Sequence, residues 1–303
     1  MRFFARRAVL AGVLVVAVAS AAFLLVHLAP GDHLQDFAPG IDQMQTRAER
    51  AALGLDRPIG EQYADWLRGA LRLDFGTSLK FQRPVGPLVG ERARNTGLLG
   101  GLALVLATAI GIPLGVFTGS HQRGVLAGAI RVMSLVILAV PPLVGALALT
   151  ALASRAGWLA PGGANLWNAV VPALALALPL AAVLERLQSQ AIRDTLGEPY
   201  LGAALARGIP RRLLIWKHAF RNALGPIAGI YGVIAGTLLS GSFAVEIICD
   251  WPGLGLLMID GLRARDLFLV AGCAAAGAVI LAVAIFLSDV AHAWIDPRVR
   301  RDA

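Results

Sequence analysis

Charged residues fall in bursts along this chain, and between them run long apolar stretches. Six stretches free of Asp, Glu, Lys and Arg are long enough to matter: 8–29, the run between Arg94 and Arg123, that between Arg131 and Arg155, 156–184, 222–245 and 267–288. A helix needs about 20 apolar residues to cross a bilayer. A barrel strand would give alternating segments of about 10. These runs are longer and do not alternate, so they predict six helices. The fourth opens on a loop-like Pro161-Gly162-Gly163-Ala164-Asn165, so its helix is expected to start near Asn168 and run past Glu185. The third contains Pro141-Pro142, which remove backbone donors and predict a kink; a gating hinge and a static bend are both open there.

Composition agrees. Hydrophobic residues make up 57% of the 303, and only 15% are charged, against roughly 25% in a typical soluble domain. Mean hydropathy is +0.69. A disordered chain is excluded. Two cysteines, Cys249 and Cys273, exclude a disulfide framework. The five histidines are scattered without ligand spacing, so no metal site is expected.

The net charge of +8 reads as loop arginines of a membrane protein and not as a nucleic-acid footprint. With the N-terminus in the cytoplasm, the inner segments hold Arg2, Arg6, Arg7, Arg123, Arg193, Arg207, Arg211, Arg212, Lys217, Arg221, Arg298, Arg300 and Arg301, and the short outer loops only Arg155, Arg263 and Arg265. That satisfies the positive-inside rule with both termini inside. The first run also resembles a signal peptide, with Val18-Ala19-Ser20-Ala21 as a cleavage site, but its length favours a retained helix.

The outer segment between the first two spans predicts short helices over 48–54 and 61–73, the second with Tyr63, Trp66, Leu67, Ala70 and Leu71 at helical spacing. They are expected to lie on the bilayer surface. Four ionisable positions fall at membrane depth: Glu185 with Arg186 at the inner end of the fourth span, Glu246 at the outer end of the fifth, and Asp289 near His292. For Glu185 and Arg186, near a helix end, snorkelling weakens a functional reading. Glu246 is read either as lining a solute path or as a helix-end carboxylate.

The segment 197–226 carries the most information. It predicts a short helix from Glu198 to Arg207 that ends at Gly208, a residue suited to the left-handed conformation. Pro210 then opens a second, basic amphipathic helix expected near the interface. The smooth run Gly202, Ala203, Ala204 and Ala206 is read either as a docking face or as a plain turn between spans.

This stretch resembles the EAA loop of ABC-importer permeases of the dipeptide/oligopeptide/nickel family. Tyr200, Ala204, Ala206, Arg207 and Gly208, then Lys217-His218-Ala219, Arg221-Asn222-Ala223-Leu224 and Pro226, match that family's pattern. So do Arg6-Arg7, Pro30-Gly31-Asp32, Leu53-Gly54-Leu55-Asp56-Arg57-Pro58, Asp74-Phe75-Gly76-Thr77-Ser78, Gly111-Ile112-Pro113-Leu114-Gly115, Val245-Glu246, Trp251-Pro252-Gly253-Leu254-Gly255 and Asp296-Pro297-Arg298, in order along nearly the whole chain. The chain departs at Pro199, Gly202, Ala203 and Leu205.

The resemblance implies an all-α polytopic membrane protein of six transmembrane helices with the type I ABC-importer (MetI-like) transmembrane fold. Along the chain it implies a first helix and outer segment over 1–93, a five-helix core over 94–293 and a cytoplasmic tail over 294–303. It implies a permease subunit in the cell membrane that forms half of a path for peptides or a related solute such as a nickel chelate. It would not be an enzyme and would bind no cofactor itself; ATP and magnesium would sit on partner subunits. The implied partners are a homologous second permease, two cytoplasmic ATPase domains, an extracytoplasmic solute-binding protein and the lipid bilayer, with no nucleic acid. Glu198, Tyr200, Ala203, Ala204, Ala206, Arg207 and Gly208 would form the ATPase-coupling helix. Pro141, Pro142, Glu246, Trp251, Pro252 and Gly253 would belong to the path or its gate. The alternatives are an intramembrane enzyme and a self-assembling channel.

Overall fold

The structure, a computed structural model, describes residues 2–28, 56–158 and 166–295. The expected Pro30-Gly31-Asp32 turn, the helix over 48–54, residues 53–55 of the Leu53–Pro58 motif, the loop at 161–165 and the Asp296-Pro297-Arg298 motif lie outside the described residues.

Ten helices are described: α1 (Arg2–Leu28), α2 (Ile59–Ala70), α3 (Val85–Ser120), α4 (Val125–Ala139), α5 (Pro142–Arg155), α6 (Leu166–Leu196), α7 (Pro199–Ala206), α8 (Arg211–Ile248), α9 (Leu254–Arg263) and α10 (Leu267–Ile295). Among the described residues the only extended pairing is one isolated bridge between Thr77 and Pro84. Five helices, α1, α3, α6, α8 and α10, are long and apolar enough to cross a membrane, and α4 with α5 makes a sixth if the two count as one broken span.

The third span bends at the expected prolines, and far more sharply than a kink. Its halves meet at 103°. Val140 (φ −82°, ψ 124°) and Pro141 (φ −55°, ψ 134°) are both extended. A residue before proline is driven out of the helical region, and here the effect acts twice in succession. The helix restarts with Pro142 in its first turn, where the missing N–H costs nothing.

The chain forms two compact units that interleave in sequence: one holds 1–7, 97–251 and 283–303, the other 8–96 and 252–282. In the first unit α6 is central and packs against α4, α5 and α8. Its buried face repeats small residues every four positions, Ala169, Ala173, Ala177 and Ala181, and meets Leu99, Ala103 and Ala107 of α3 and Ile227, Ile234 and Leu238 of α8. Small residues bring membrane helices close enough for van der Waals packing, which lipid does not otherwise drive.

The closest approach is a seam of α3 glycines. A Cβ on Gly111 would lie 2.6 Å from the Ala181 carbonyl oxygen, one on Gly115 2.6 Å from Gln188 Cβ, and one on Gly119 2.6 Å from the Ser189 carbonyl oxygen. Beside this seam Glu185 is 1% exposed and Gln188 fully buried. The Thr118 hydroxyl donates to Glu185 Oε1 at 2.5 Å. Glu185 therefore does not snorkel; it is enclosed between α3 and α6, while Arg186 on the next face is exposed. Asp289 does not turn to His292 but meets Arg7 as an ion pair at 3.2 Å, partly exposed and without hydrogen-bond alignment, an arrangement of small energetic weight.

In the second unit α2 forms as its periodicity predicts, but its apolar face meets protein. Tyr63 and Trp66 pack on Phe23 of α1 with ring centroids 5.6 and 5.2 Å away, and the Tyr63 and Ser20 hydroxyls are 2.6 Å apart. Leu267, Ala271 and Ala275 of α10 complete this cluster. Asp65, assisted by Glu61, holds the exposed Arg57 guanidinium above its ordinary pKa. Asp266, fully buried, accepts the Ser78 hydroxyl at 2.6 Å, the Lys80 N–H at 3.1 Å and, from the first turn of α10, the Leu269 N–H at 3.1 Å.

Candidate functional site

The segment 197–226 folds as its local chemistry dictates. Pro199 occupies the first turn of α7. At the other end the Ile209 N–H donates to the Ala204 carbonyl at 3.3 Å and the Gly208 N–H to that of Leu205 at 3.0 Å. This is the Schellman pattern, with Gly208 at φ +83° as its left-handed residue. A Cβ at Gly208 would meet nothing within 4 Å, so the backbone conformation and not crowding calls for glycine. The helix is one residue shorter at each end than the span from Glu198 to Arg207: those two residues are its caps.

One residue of α7, Leu201 (2% exposed), is buried. It enters a cluster with Val116 of α3, Ile192 of α6 and Leu214, Ile215, Ala219 and Ala223 of α8, against which Ala204 and Ile209 also pack. Asn222 Nδ2 donates to the Tyr200 hydroxyl, a second tie between α7 and α8. Gly202, Ala203, Ala206 and Arg207 remain exposed. Of the expected coupling residues, Ala203, Ala206 and Arg207 thus share a free surface. Ala204 faces inward, Tyr200 reaches α8, and Glu198 caps α7 through its backbone without a side-chain bond.

The expected separate interfacial helix after Pro210 is corrected. Pro210 lies just before the helix, not in its first turn, and the helix from Arg211 runs without a break into the fifth span to Ile248. Residues Leu214–Ala219 form a π-helical turn within it. Nothing in that sequence stops a helix; Pro226 is absorbed inside it. Arg211, Arg212, Lys217 and Arg221 are exposed, as their amphipathic spacing predicts. Arg211 also donates to the Ser120 carbonyl at 3.0 Å, fixing the α3–α4 turn.

The path and gate candidates are dispersed. Pro141 and Pro142 form the exposed elbow between α4 and α5. It is the far end of α5 that reaches α8: Thr150 Oγ1 lies 3.2 Å from Cys249 Sγ. Glu246 is fully buried, not a carboxylate in water, and Trp251 is 2% exposed within the core of the first unit. In the second unit the Pro252 carbonyl accepts Asn95 Nδ2 and the Leu254 N–H donates to Thr96, both at 2.8 Å, so this turn is pinned into packing.

Sequence reasoning missed the α3 glycine seam and the buried Glu185–Thr118 contact. The signal was present: Gly111, Gly115 and Gly119 recur every four residues, the small-residue spacing of close helix pairs.

Residues 111–301 match the family described as binding-protein-dependent transport system inner membrane component, and residues 1–84 match the corresponding N-terminal family. The chain is 32% identical over 322 residues to an oligopeptide transport system permease protein of Mycobacterium tuberculosis, covering 99% of each chain. It is 30% identical over 311 residues to one of Bacillus subtilis, covering 98% of each. A glutathione transport system permease protein of Pectobacterium atrosepticum is 32% identical over 282 residues, covering 92% of each.

Proposed function

The chain belongs to the family of binding-protein-dependent transport-system inner membrane components, and from that premise we propose how it moves its solute. It is a multi-pass inner-membrane permease subunit of an ABC importer. The relatives named for oligopeptide and glutathione transport support a peptide-class solute. ATP and magnesium bind separate ATPase subunits; a homologous second permease completes the path, and an external solute-binding protein delivers to it.

With both termini in the cytoplasm, α7 faces the ATPase. Ala203, Ala206 and Arg207 seat against it, and the small side chains let the surfaces approach closely. Leu201 and the Tyr200–Asn222 bond carry the displacement into α8, and the Leu201 cluster carries it into α3 and α6. ATPase closure then biases two states of the permease, giving alternating access. The Pro141–Pro142 elbow serves as a hinge of the path and Glu246 as an acidic group beside it, while Trp251, Pro252 and Gly253 hold the outer turn in place.

The observation that carries this reading is a capped, two-point-anchored helix whose outer face is smooth and uncovered. Ala203→Trp and Ala206→Trp, in the complex reconstituted with its partners, should lower ATP-driven uptake by about tenfold or more, the scale of overpacking one contact. The chain should stay inserted and monodisperse. Wild-type uptake by both variants would remove α7 from the coupling path.

A further inference from the structure

On the flank of α7 away from its docking face lies a groove of about 610 Å³. The α3–α4 turn, residues 119–124, forms one wall with Arg123, and Arg211 stands at the start of α8; Leu201, Leu205 and Leu214 supply an apolar wall. No carboxylate is among its lining residues. Arg123 is exposed and makes no ion pair among the described residues. Arg211 spends one nitrogen on the Ser120 carbonyl, which leaves further donors of its five-donor fork for an anion.

We propose that this groove binds the headgroup of an anionic phospholipid, with its phosphate between Arg123 and Arg211 and its glycerol and upper acyl chain along the leucine wall. Paired arginines fit phosphate oxygens geometrically as well as by charge. The lipid, and not a free phosphate, is indicated by what borders the groove. Val125 is 94% exposed, and Leu126, Leu213 and Trp216 are also exposed, interleaved with Arg212 and Lys217. Bare apolar side chains alternating with basic ones mark the headgroup boundary of a membrane.

The site is compatible with docking on α7. At about 100° per residue, Gly202 and Leu205 lie within about 100° of the buried Leu201, whereas Ala203, Ala206 and Arg207 lie about 140–240° round. The lipid and the ATPase would therefore use different faces of one helix. The inference rests on the membrane placement of the chain and does not require the docking reading.

The test uses the purified full chain in detergent, with native mass spectrometry of adducts. Added phosphatidylglycerol should be retained in preference to phosphatidylcholine. Arg123→Gln should lower that retention by about fivefold, the worth of one basic group near an anionic surface. Arg123 makes no hydrogen bond or ion pair among the described residues, so folding should be unaffected. Arg212→Gln, which borders the groove without lining it, should lower retention less than Arg123→Gln does. Equal retention of the two lipids, or full phosphatidylglycerol retention by Arg123→Gln, would overturn the proposal. Stripping of the lipid by millimolar inorganic phosphate would assign the groove to a free anion instead and would equally overturn it.

Discussion

Asn222 donates a hydrogen bond to the Tyr200 hydroxyl across 22 residues, tying the first turn of α7 to α8. The bond sits beside the Leu201 cluster, so α7 is joined to the long helix at two points and not one. Tyr200→Phe removes the hydroxyl and should cost about 1 kcal/mol of that linkage, the net worth of one hydrogen bond. In the reconstituted complex the solute moved per ATP hydrolysed should fall severalfold. The Tyr200→Phe/Asn222→Ala double variant should be no worse than the more impaired single one, because the pair acts as a unit. Additive losses would mean that the bond does not join the two helices functionally.

The α3–α6 seam should be intolerant of a single methyl group. Gly115→Ala puts a Cβ 2.6 Å from Gln188 Cβ and 2.7 Å from the Glu185 carbonyl oxygen, and should cost about 1–3 kcal/mol by overpacking. Gly101→Ala, where nothing lies within 4 Å, should be neutral or stabilising by up to about 1 kcal/mol through helix propensity. Thermal unfolding in detergent separates the two. Equal melting of both variants would mean the seam is loose.

Among the described residues, Glu185 depends on Thr118 for its one side-chain hydrogen bond. Thr118→Val leaves a buried acceptor without its donor and should cost about 1–3 kcal/mol. Glu185→Gln keeps an oxygen for Thr118 while removing an acidic group from the interior, and should be neutral or stabilising. The reverse order of melting temperatures would show that the carboxyl is needed for more than packing.

Asp266→Ala deprives Ser78, Lys80 and the first turn of α10 of one shared acceptor. Loss of a helix cap alone costs about 0.5–2 kcal/mol. Limited proteolysis should then cut within 78–84 well before the wild type is cut there; unchanged cleavage would show that the segment is held by other contacts.

How much of this was legible in the sequence differs from residue to residue. Gly208 was, because a left-handed helix end is a local demand that glycine meets cheaply. The α2 face was legible as a pattern, but its partner was not: Tyr63 and Trp66 meet Phe23, forty residues earlier, and periodicity does not say what covers an apolar stripe. The continuity of α8 was obscured because its arginines and Lys217 imitate an interfacial helix, although no breaker separates them from the fifth span. Glu185 read as a snorkelling end group because depth was judged by distance from the end of an apolar run. Its burial comes from the glycines of another helix, a tertiary fact.

The elbow at Pro141–Pro142 has a bearing on what surrounds this chain. Helix α4 has 15 residues and α5 has 14, hence lengths of about 22 and 21 Å at 1.5 Å per residue. The hydrocarbon slab is about 30 Å thick. Neither half traverses it alone, and Pro141 and Pro142 carry no N–H to continue the ladder of α4, although Val140 still donates to the Ile137 carbonyl and the Pro141 carbonyl accepts from Val144 and Gly145. Acyl chains offer nothing to such a backbone, which is tolerated only against protein or water. Leu143, Val144 and Leu147 beside it are 54–61% exposed on the isolated chain. An interrupted ladder of this kind favours a neighbouring subunit or an aqueous cavity over bulk lipid as the surroundings of the elbow.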